Sequence, residues 1–174
     1  LVNNGSGRFR AARRTGELAS FAEPSTCVAC ADLTGNGRAD LVIGLAAGGL
    51  RAFFNNGSGI FMDAGALCGL PDAGEPPLHV MLADFNEDSA PDFHVRFQRT
   101  GPALLENRSQ AAARGQFISI RPAGHRGVIG ATVRVLDARG SAVLATDQIG
   151  AGDAPPECAF GLPGIREALI EIQF

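Results

Sequence analysis

The chain has 174 residues and a formal net charge of −3 at pH 7, so it is long enough for one or two domains with a core and too weakly charged to indicate nucleic-acid binding. All 15 basic residues are arginines, which excludes mechanisms that depend on a Schiff-base or phosphate-binding lysine. No apolar run approaches about 18 residues, so no membrane-spanning helix is predicted. The 23 glycines and 10 prolines suit many tight turns between short strands.

The N-terminal residues read as the end of a repeat unit. Residues 1–9 end in the turn Asn3–Gly7 and are interpreted as the tail of a preceding unit. We therefore expect a trimmed or processed chain, with any targeting segment upstream of Leu1. Residues 10–26 form a polar connection to the first full unit.

The first unit, residues 10–62, contains a loop with the layout of a cation site. Strands are predicted at 27–31, 41–45, 50–54 and near 60–62, and the loop spans residues 32–40. Its oxygen donors are the side chains of Asp32, Thr34, Asn36 and Asp40 and the main-chain carbonyl of Arg38. Calcium accepts six to eight oxygens in flexible geometry, so it is favoured over magnesium. The alternative is a hairpin turn held by side-chain hydrogen bonds, with no ion.

The same loop returns in the second unit, residues 63–107. Asp84 follows Asp32 by 52 positions (84 − 32), and the repeat continues without a gap over most of the unit. The equivalent donors are Asp84, Asn86, Asp88 and Asp92, with the carbonyl of Ala90. Strands are predicted at 78–83, 93–98 and 103–106. A period near fifty residues with about four strands is typical of a propeller blade.

A different β module follows Asn107, where the repeat stops. Residues 111–115 are a small-residue linker, and the module covers residues 116–174. Its predicted strands are 116–121, 131–136, 142–146, 157–160 and 168–174. We see no convincing amphipathic helix, and we expect the module to cover the downstream end of the repeats because it follows them directly.

The motif D-x-T-G-N-G-x-x-D, followed by a strand and F-x-N-N-G-S-G-x-F, resembles the FG-GAP or VCBS repeat of integrin α subunits and many secreted bacterial proteins. The tail resembles the ASPIC/UnbV module of cartilage acidic protein-like proteins, through segments 116–121, 127–135, 148–152 and 160–162. The resemblance implies an all-β chain: a partial β-propeller of about two four-stranded blades, then a small β-sandwich-like module. It also implies structural calcium in the loops and extracytoplasmic adhesion or binding rather than catalysis.

Three departures from the family pattern matter. Thr34 and Asn36 replace acidic residues, while Glu87 and Ser89 stand where the family prefers glycine. The first loop, which keeps its glycines, is therefore the better calcium candidate, and Ser89 must accept a strained turn unless its loop differs. Two units also cannot close a propeller. We expect a protein partner, or further repeats of the same polypeptide, near the N-terminal end.

Other residue patterns are explained without a binding site or a reaction. Cys27 and Cys30 fall on opposite faces of a strand, so they should not bond to each other. We expect buried apolar thiols; a disulfide between distant cysteines such as Cys68 and Cys158, and metal or redox chemistry, are the alternatives. Formal sequons occur at Asn4, Asn56 and Asn107; the repeated turn explains the first two without a glycan, and attached sugar is the alternative.

No common catalytic motif is present. The histidines at positions 79, 94 and 125 read as packed or surface residues. A pair such as Asp84 and Asp92 has the chemistry for acid–base work, but its spacing favours a ligand set. The chain is therefore expected to be a non-catalytic calcium-binding interaction or adhesion module, secreted, periplasmic or in an organelle lumen. The alternative is a structural accessory subunit of a larger assembly, membrane-associated or not.

Overall fold

A computed structural model describes residues 1–12, 14–65, 74–109, 117–122, 128–149, 158–162 and 164–174. The described chain is mostly antiparallel β-sheet, which confirms the predicted all-β class. A short 3-10 turn at Glu17–Ala19, which the sequence analysis did not predict, lies in the connection before the first unit.

The two repeat units form separate sheets. A short hairpin, β1 (Val2–Asn3) and β2 (Phe9–Arg10), precedes them. The first unit is a four-stranded sheet of β3 (Ser25–Ala31), β4 (Asp40–Leu45), β5 (Leu50–Asn55) and β6 (Phe61–Asp63), in that order. The second is a three-stranded sheet of β7 (Pro77–Ala83), β8 (Asp92–Phe97) and β9 (Pro102–Leu105).

Strand pairing reproduces the sequence repeat. The pairs are Ser25–Leu45 and Leu41–Phe53 in the first sheet, and Pro77–Phe97 and Phe93–Leu105 in the second. Every member of the second set lies 52 positions after its equivalent, as in 77 − 25 and 97 − 45. Both sheets also shift register at the same place in their first strand. The two units therefore share one register, as the ungapped repeat predicts.

The units stack face to face through apolar residues. The downstream face of the first unit contributes Val42 and Leu50, with half-buried Ala29 and Phe54. The upstream face of the second unit contributes Val80, Phe93, Val95 and Phe97. Val42 and Val95 are fully buried here. Burial of both faces explains why the two units stack, since neither sheet has enough core of its own.

The two outer faces of the stack differ in chemistry. On the upstream face of the first unit, Ile43, Leu45 and Phe53 are covered by Leu18 and Phe21, but Val28 is 61% exposed. The Phe21 ring meets Phe53 edge-on, with centroids 5.3 Å apart.

On the downstream face of the second unit, the repeat places polar residues where the first unit has apolar ones. His79, Arg96 and Glu106 are exposed, and Leu104 is 62% exposed. A polar outer face of this kind is typical of a terminal repeat. The C-terminal module does not cover these residues, so the expectation that it covers the downstream end is wrong.

The C-terminal module consists of two small sheets around one core. Its strands are β10 (Phe117–Ile120), β11 (Thr132–Asp137), β12 (Val143–Gln148), β13 (Cys158–Gly161) and β14 (Ala168–Gln173). β10 pairs with β13, and β11 lies between β12 and β14. Val133 and Val135 are fully buried, and Phe160 packs against them from the other sheet. This arrangement matches the expected sandwich-like module.

Several expectations fall outside the described residues. These are the linker 111–115, residues 66–73 between β6 and β7, His125 and Cys68. The domain boundaries therefore stay predictions. Among the described cysteines, Cys158 is buried and Cys27 half-buried, but Cys30 is exposed, so the prediction of a buried thiol is wrong for Cys30. Its strand alternates faces, which places Cys30 opposite Cys27, and no disulfide joins the described cysteines.

Candidate cation loops and their contacts

The two aspartate loops lie beside each other at one end of the stack. Each connects the first two strands of its sheet, β3 to β4 and β7 to β8. A cavity of about 270 Å³ is lined by both loops and by the C-terminal module; Asp32, Asp84 and Asp147 contribute to its wall. The repeat thus places both sequence-predicted loops at one rim, with the module seated against them.

In the first loop, both aspartates bind backbone amides. Asp32 accepts the N–H of Asn36 at 3.1 Å on Oδ1 and that of Gly37 at 2.7 Å on Oδ2. Asp40 accepts the N–H of Leu33 at 3.0 Å and that of Asn55 at 2.7 Å. Asp32 therefore holds the turn of the loop, and Asp40 ties the loop to the end of β5.

The second loop repeats these contacts. Its four bonds are Asp88 N–H to Asp84 (3.1 Å), Ser89 N–H to Asp84 (2.9 Å), Phe85 N–H to Asp92 (3.1 Å) and Asn107 N–H to Asp92 (2.8 Å). Each equals a first-loop bond shifted by one repeat. The aspartates at the first and ninth positions are thus turn-forming residues in both units.

The middle positions form side-chain turns of the kind offered as the alternative to an ion. The Oδ1 atoms of Asn36 and Asn86 accept the N–H two residues on at 3.0 Å, and Asp88 accepts that of Ala90 at 2.8 Å. Thr34 donates its hydroxyl to Asp40 at 3.4 Å. Within the described ranges, no group of three or more His, Cys, Asp or Glu side chains is arranged to hold a metal.

The backbone of the second loop adopts the conformation that the sequence analysis called strained. Glu87 and Ser89 have φ of 63° and 71°, close to the 70° and 81° of Gly35 and Gly37. The intraloop bonds to Asp84 supply the compensation for these non-glycine residues in the left-handed region. The backbone geometry of the loops therefore gives no reason to prefer the first loop over the second as a cation site.

Burial makes the first loop electrostatically unusual. Asp32 is 6% exposed and Asp40 fully buried, and no ion pair reaches either within the described residues. Burial, with the nearby charge of Asp32 adding to it, raises the pKa of Asp40 to about 6. Each carboxylate oxygen has two lone-pair directions. The Oδ1 atom of each aspartate accepts one N–H and retains one direction, whereas each Oδ2 atom already accepts two hydrogen bonds. Buried oxygen donors without a cationic side chain fit a hard cation by their chemistry.

Sequence reasoning missed two residues that act on the loops from elsewhere. Gly161, on β13, donates its N–H to Asp32 Oδ2 at 2.7 Å. Asn107 donates its side-chain amide to the Leu33 carbonyl at 3.1 Å and so joins the end of the second unit to the first loop. A glycine inside a strand signals close backbone approach, and this was the available clue for Gly161.

Comparison with known proteins covers the same region. No curated protein matches the chain. No helix among the described residues is long and apolar enough to cross a membrane. The family model for an FG-GAP-like repeat matches residues 32–95, from the first aspartate of the first loop into β8. Residues 32–95 of this chain are therefore an FG-GAP-like repeat.

Proposed function

We propose that the chain is a non-catalytic, extracytoplasmic interaction module that binds a protein neighbour on the upstream face of its first unit. FG-GAP repeats are often extracellular and mediate protein–protein interaction or adhesion. The observation that carries the proposal is the contrast between Val28, 61% exposed, and its repeat equivalent Val80, 4% exposed. Val80 is buried because the first unit covers it, whereas Val28 has no such cover.

The surroundings of Val28 support a protein as the neighbour. The connection at Leu18 and Phe21 covers only part of the upstream face, and the hairpin that precedes it exposes more apolar surface. Phe9 is 65% exposed and Leu1 90% exposed. Apolar patches and free strand edges of this kind favour association with protein surfaces.

Sedimentation of the purified chain tests the proposal. We expect association at micromolar concentration, and Val28→Glu should weaken it because a charge cannot be buried without a partner. Val143→Glu is the matched control, since Val143 is 57% exposed but lies on the C-terminal module. A compact wild-type monomer, or equal effects of the two variants, would contradict a neighbour on the upstream face.

We also propose that the aspartate loops take calcium in a structural role. The first set is Asp32, Thr34, Asn36, Asp40 and the Arg38 carbonyl; the second is Asp84, Asn86, Asp88, Asp92 and the Ala90 carbonyl. Bound calcium would neutralise buried carboxylates and pin each hairpin. The support is the burial of the carboxylates of Asp32, Asp40 and Asp92 without an ion-pair partner among the described residues.

A calcium titration tests this role. Calcium that binds only the folded chain raises the melting temperature by mass action, and an excess of chelator reverses the shift. Asp40→Asn and Asp92→Asn assign the shift to the first or second loop, and magnesium serves as the control ion. No shift beyond error in the wild type would leave both loops as ion-free turns.

The tail remains a resemblance to the ASPIC/UnbV module. We propose that residues 116–174 are such a module, on the basis of the glycine and strand spacing of the sequence. The two sheets around a shared core are compatible with this assignment.

A further inference from the structure

We propose that the first aspartate loop is the docking site of the C-terminal β module, and that Asp32 holds the module on the repeat stack. The second loop contains the equivalent hydrogen bonds, but no described strand of the module donates to Asp84. The two loops therefore differ in this contact although they share one repeated sequence pattern.

The contact centres on one buried carboxylate oxygen. Asp32 Oδ2 accepts the Gly161 N–H and the Gly37 N–H, both at 2.7 Å. Asp32 is 6% exposed, so water competes little for this oxygen. A hydrogen bond from an amide to a buried carboxylate is stronger than one between neutral groups. The bond spans 129 positions of sequence and ties β13 to the loop between β3 and β4.

Backbones meet here without intervening side chains. A Cβ atom at Gly161 would collide with the backbone of Gly35 and with the Asp32 carboxylate. A Cβ atom at Gly37 would lie 3.1 Å from the Gly161 carbonyl and 3.5 Å from the Leu144 carbonyl. A side chain is therefore excluded at Gly161, and one at Gly37 would crowd the Gly161 backbone.

The second loop shows that these glycines are not required for the turn itself. Glu87 and Ser89 adopt the same left-handed conformation with side chains present. Asp84 makes the same two intraloop bonds as Asp32, at 3.1 and 2.9 Å, and no described strand of the module donates to it. The lack of a side chain at Gly37 is thus explained by the approach of β13, which among the described contacts only the first loop receives.

Amide hydrogen exchange on the whole chain, in buffer with chelator so that calcium plays no part, tests the proposal. In Asp32→Asn, the N–H groups of Gly37 and Gly161 face either the side-chain NH2 group, which cannot accept them, or the single amide oxygen, which they must share. We expect the Gly161 amide to lose protection by about tenfold or more, as the loss of a bond to a charged group implies. Protection of β8 should be unchanged. The matched control, Asp84→Asn, should leave Gly161 protected.

A second variant keeps the test decisive if Asp32→Asn disturbs the first unit. Gly161→Ala changes only the module side of the contact, and we expect it to release β13 and increase the radius of gyration in X-ray scattering while β4 stays protected. Equal Gly161 protection in Asp32→Asn and Asp84→Asn, or an unchanged radius of gyration and β13 protection in Gly161→Ala, would overturn the proposal.

Discussion

Asn107→Ala should weaken the junction between the two units. The Asn107 side chain is 8% exposed, and its amide donates to the carbonyl of Leu33, a residue 5% exposed. Removing it leaves a buried carbonyl without its donor, which costs about 1–3 kcal/mol. For a chain of this size, that range corresponds to a fall in melting temperature of roughly 2–12 °C. The bond links the end of the second unit to the loop of the first, so the loss falls on their stacking.

The repeat provides a matched control at Asn55. Its amide donates at 3.1 Å to the carbonyl of Ala39, which is exposed, so water replaces the lost donor in Asn55→Ala. We expect a loss below about 0.5 kcal/mol there. Urea denaturation followed by far-UV circular dichroism measures both, since the chain has no tryptophan or tyrosine for fluorescence. Equal midpoint shifts for the two variants would refute the reasoning.

Three further predictions concern the interior and pH. Phe53→Ala should cost about 3–5 kcal/mol, because Phe53 is 1% exposed and packs edge-on against Phe21; a urea-measured loss below about 1 kcal/mol would contradict this packing. The Thr100 hydroxyl, with backbone amides, lowers the pKa of buried Glu75 to about 2, so its stabilisation is present above 4.5 and lost as the pH falls towards 2. Glu75→Gln should flatten acid unfolding over that window, and an unchanged acid limb would argue against these bonds. Burial raises the pKa of Asp40 from 3.8 to about 6, so its contribution is present below 3.8 and lost as the pH rises through 6. Melting temperatures of Asp40→Asn should depend less on pH across this window, and an equal slope would show that Asp40 does not titrate there.

Local pattern predicted the strands of the repeats and their register. β8 alternates apolar and polar residues with a period of two, β4 is a short apolar run, and the ungapped repeat equates them position by position. Their ends agree with the prediction to within one residue, because the turn glycines and the loop aspartates mark them. The same short-range chemistry identified both aspartate loops.

Contacts between distant elements were not predictable in this way. Aspartate and asparagine at loop positions serve equally as ion ligands or as turn residues, so the pattern alone cannot say which oxygens are already bound. The target of the Asn107 amide depends on how the units stack, which no local pattern records. Gly161 signalled a close approach but not its partner. An uncovered upstream face predicts the exposure of Val28, but not the burial of Ile43 and Phe53 there by Leu18 and Phe21.

The unequal outer faces of the stack limit where a further repeat unit can be added. A unit appended after the second would have to cover exposed His79 and Arg96, which give it no apolar surface to pack against. A copy of the first unit inserted between the two would instead meet Val42 on one side and Val95 on the other, both of which already pack in such an interface. Lengthening by internal duplication is therefore compatible with this architecture, whereas lengthening by downstream addition requires that the terminal face first become apolar.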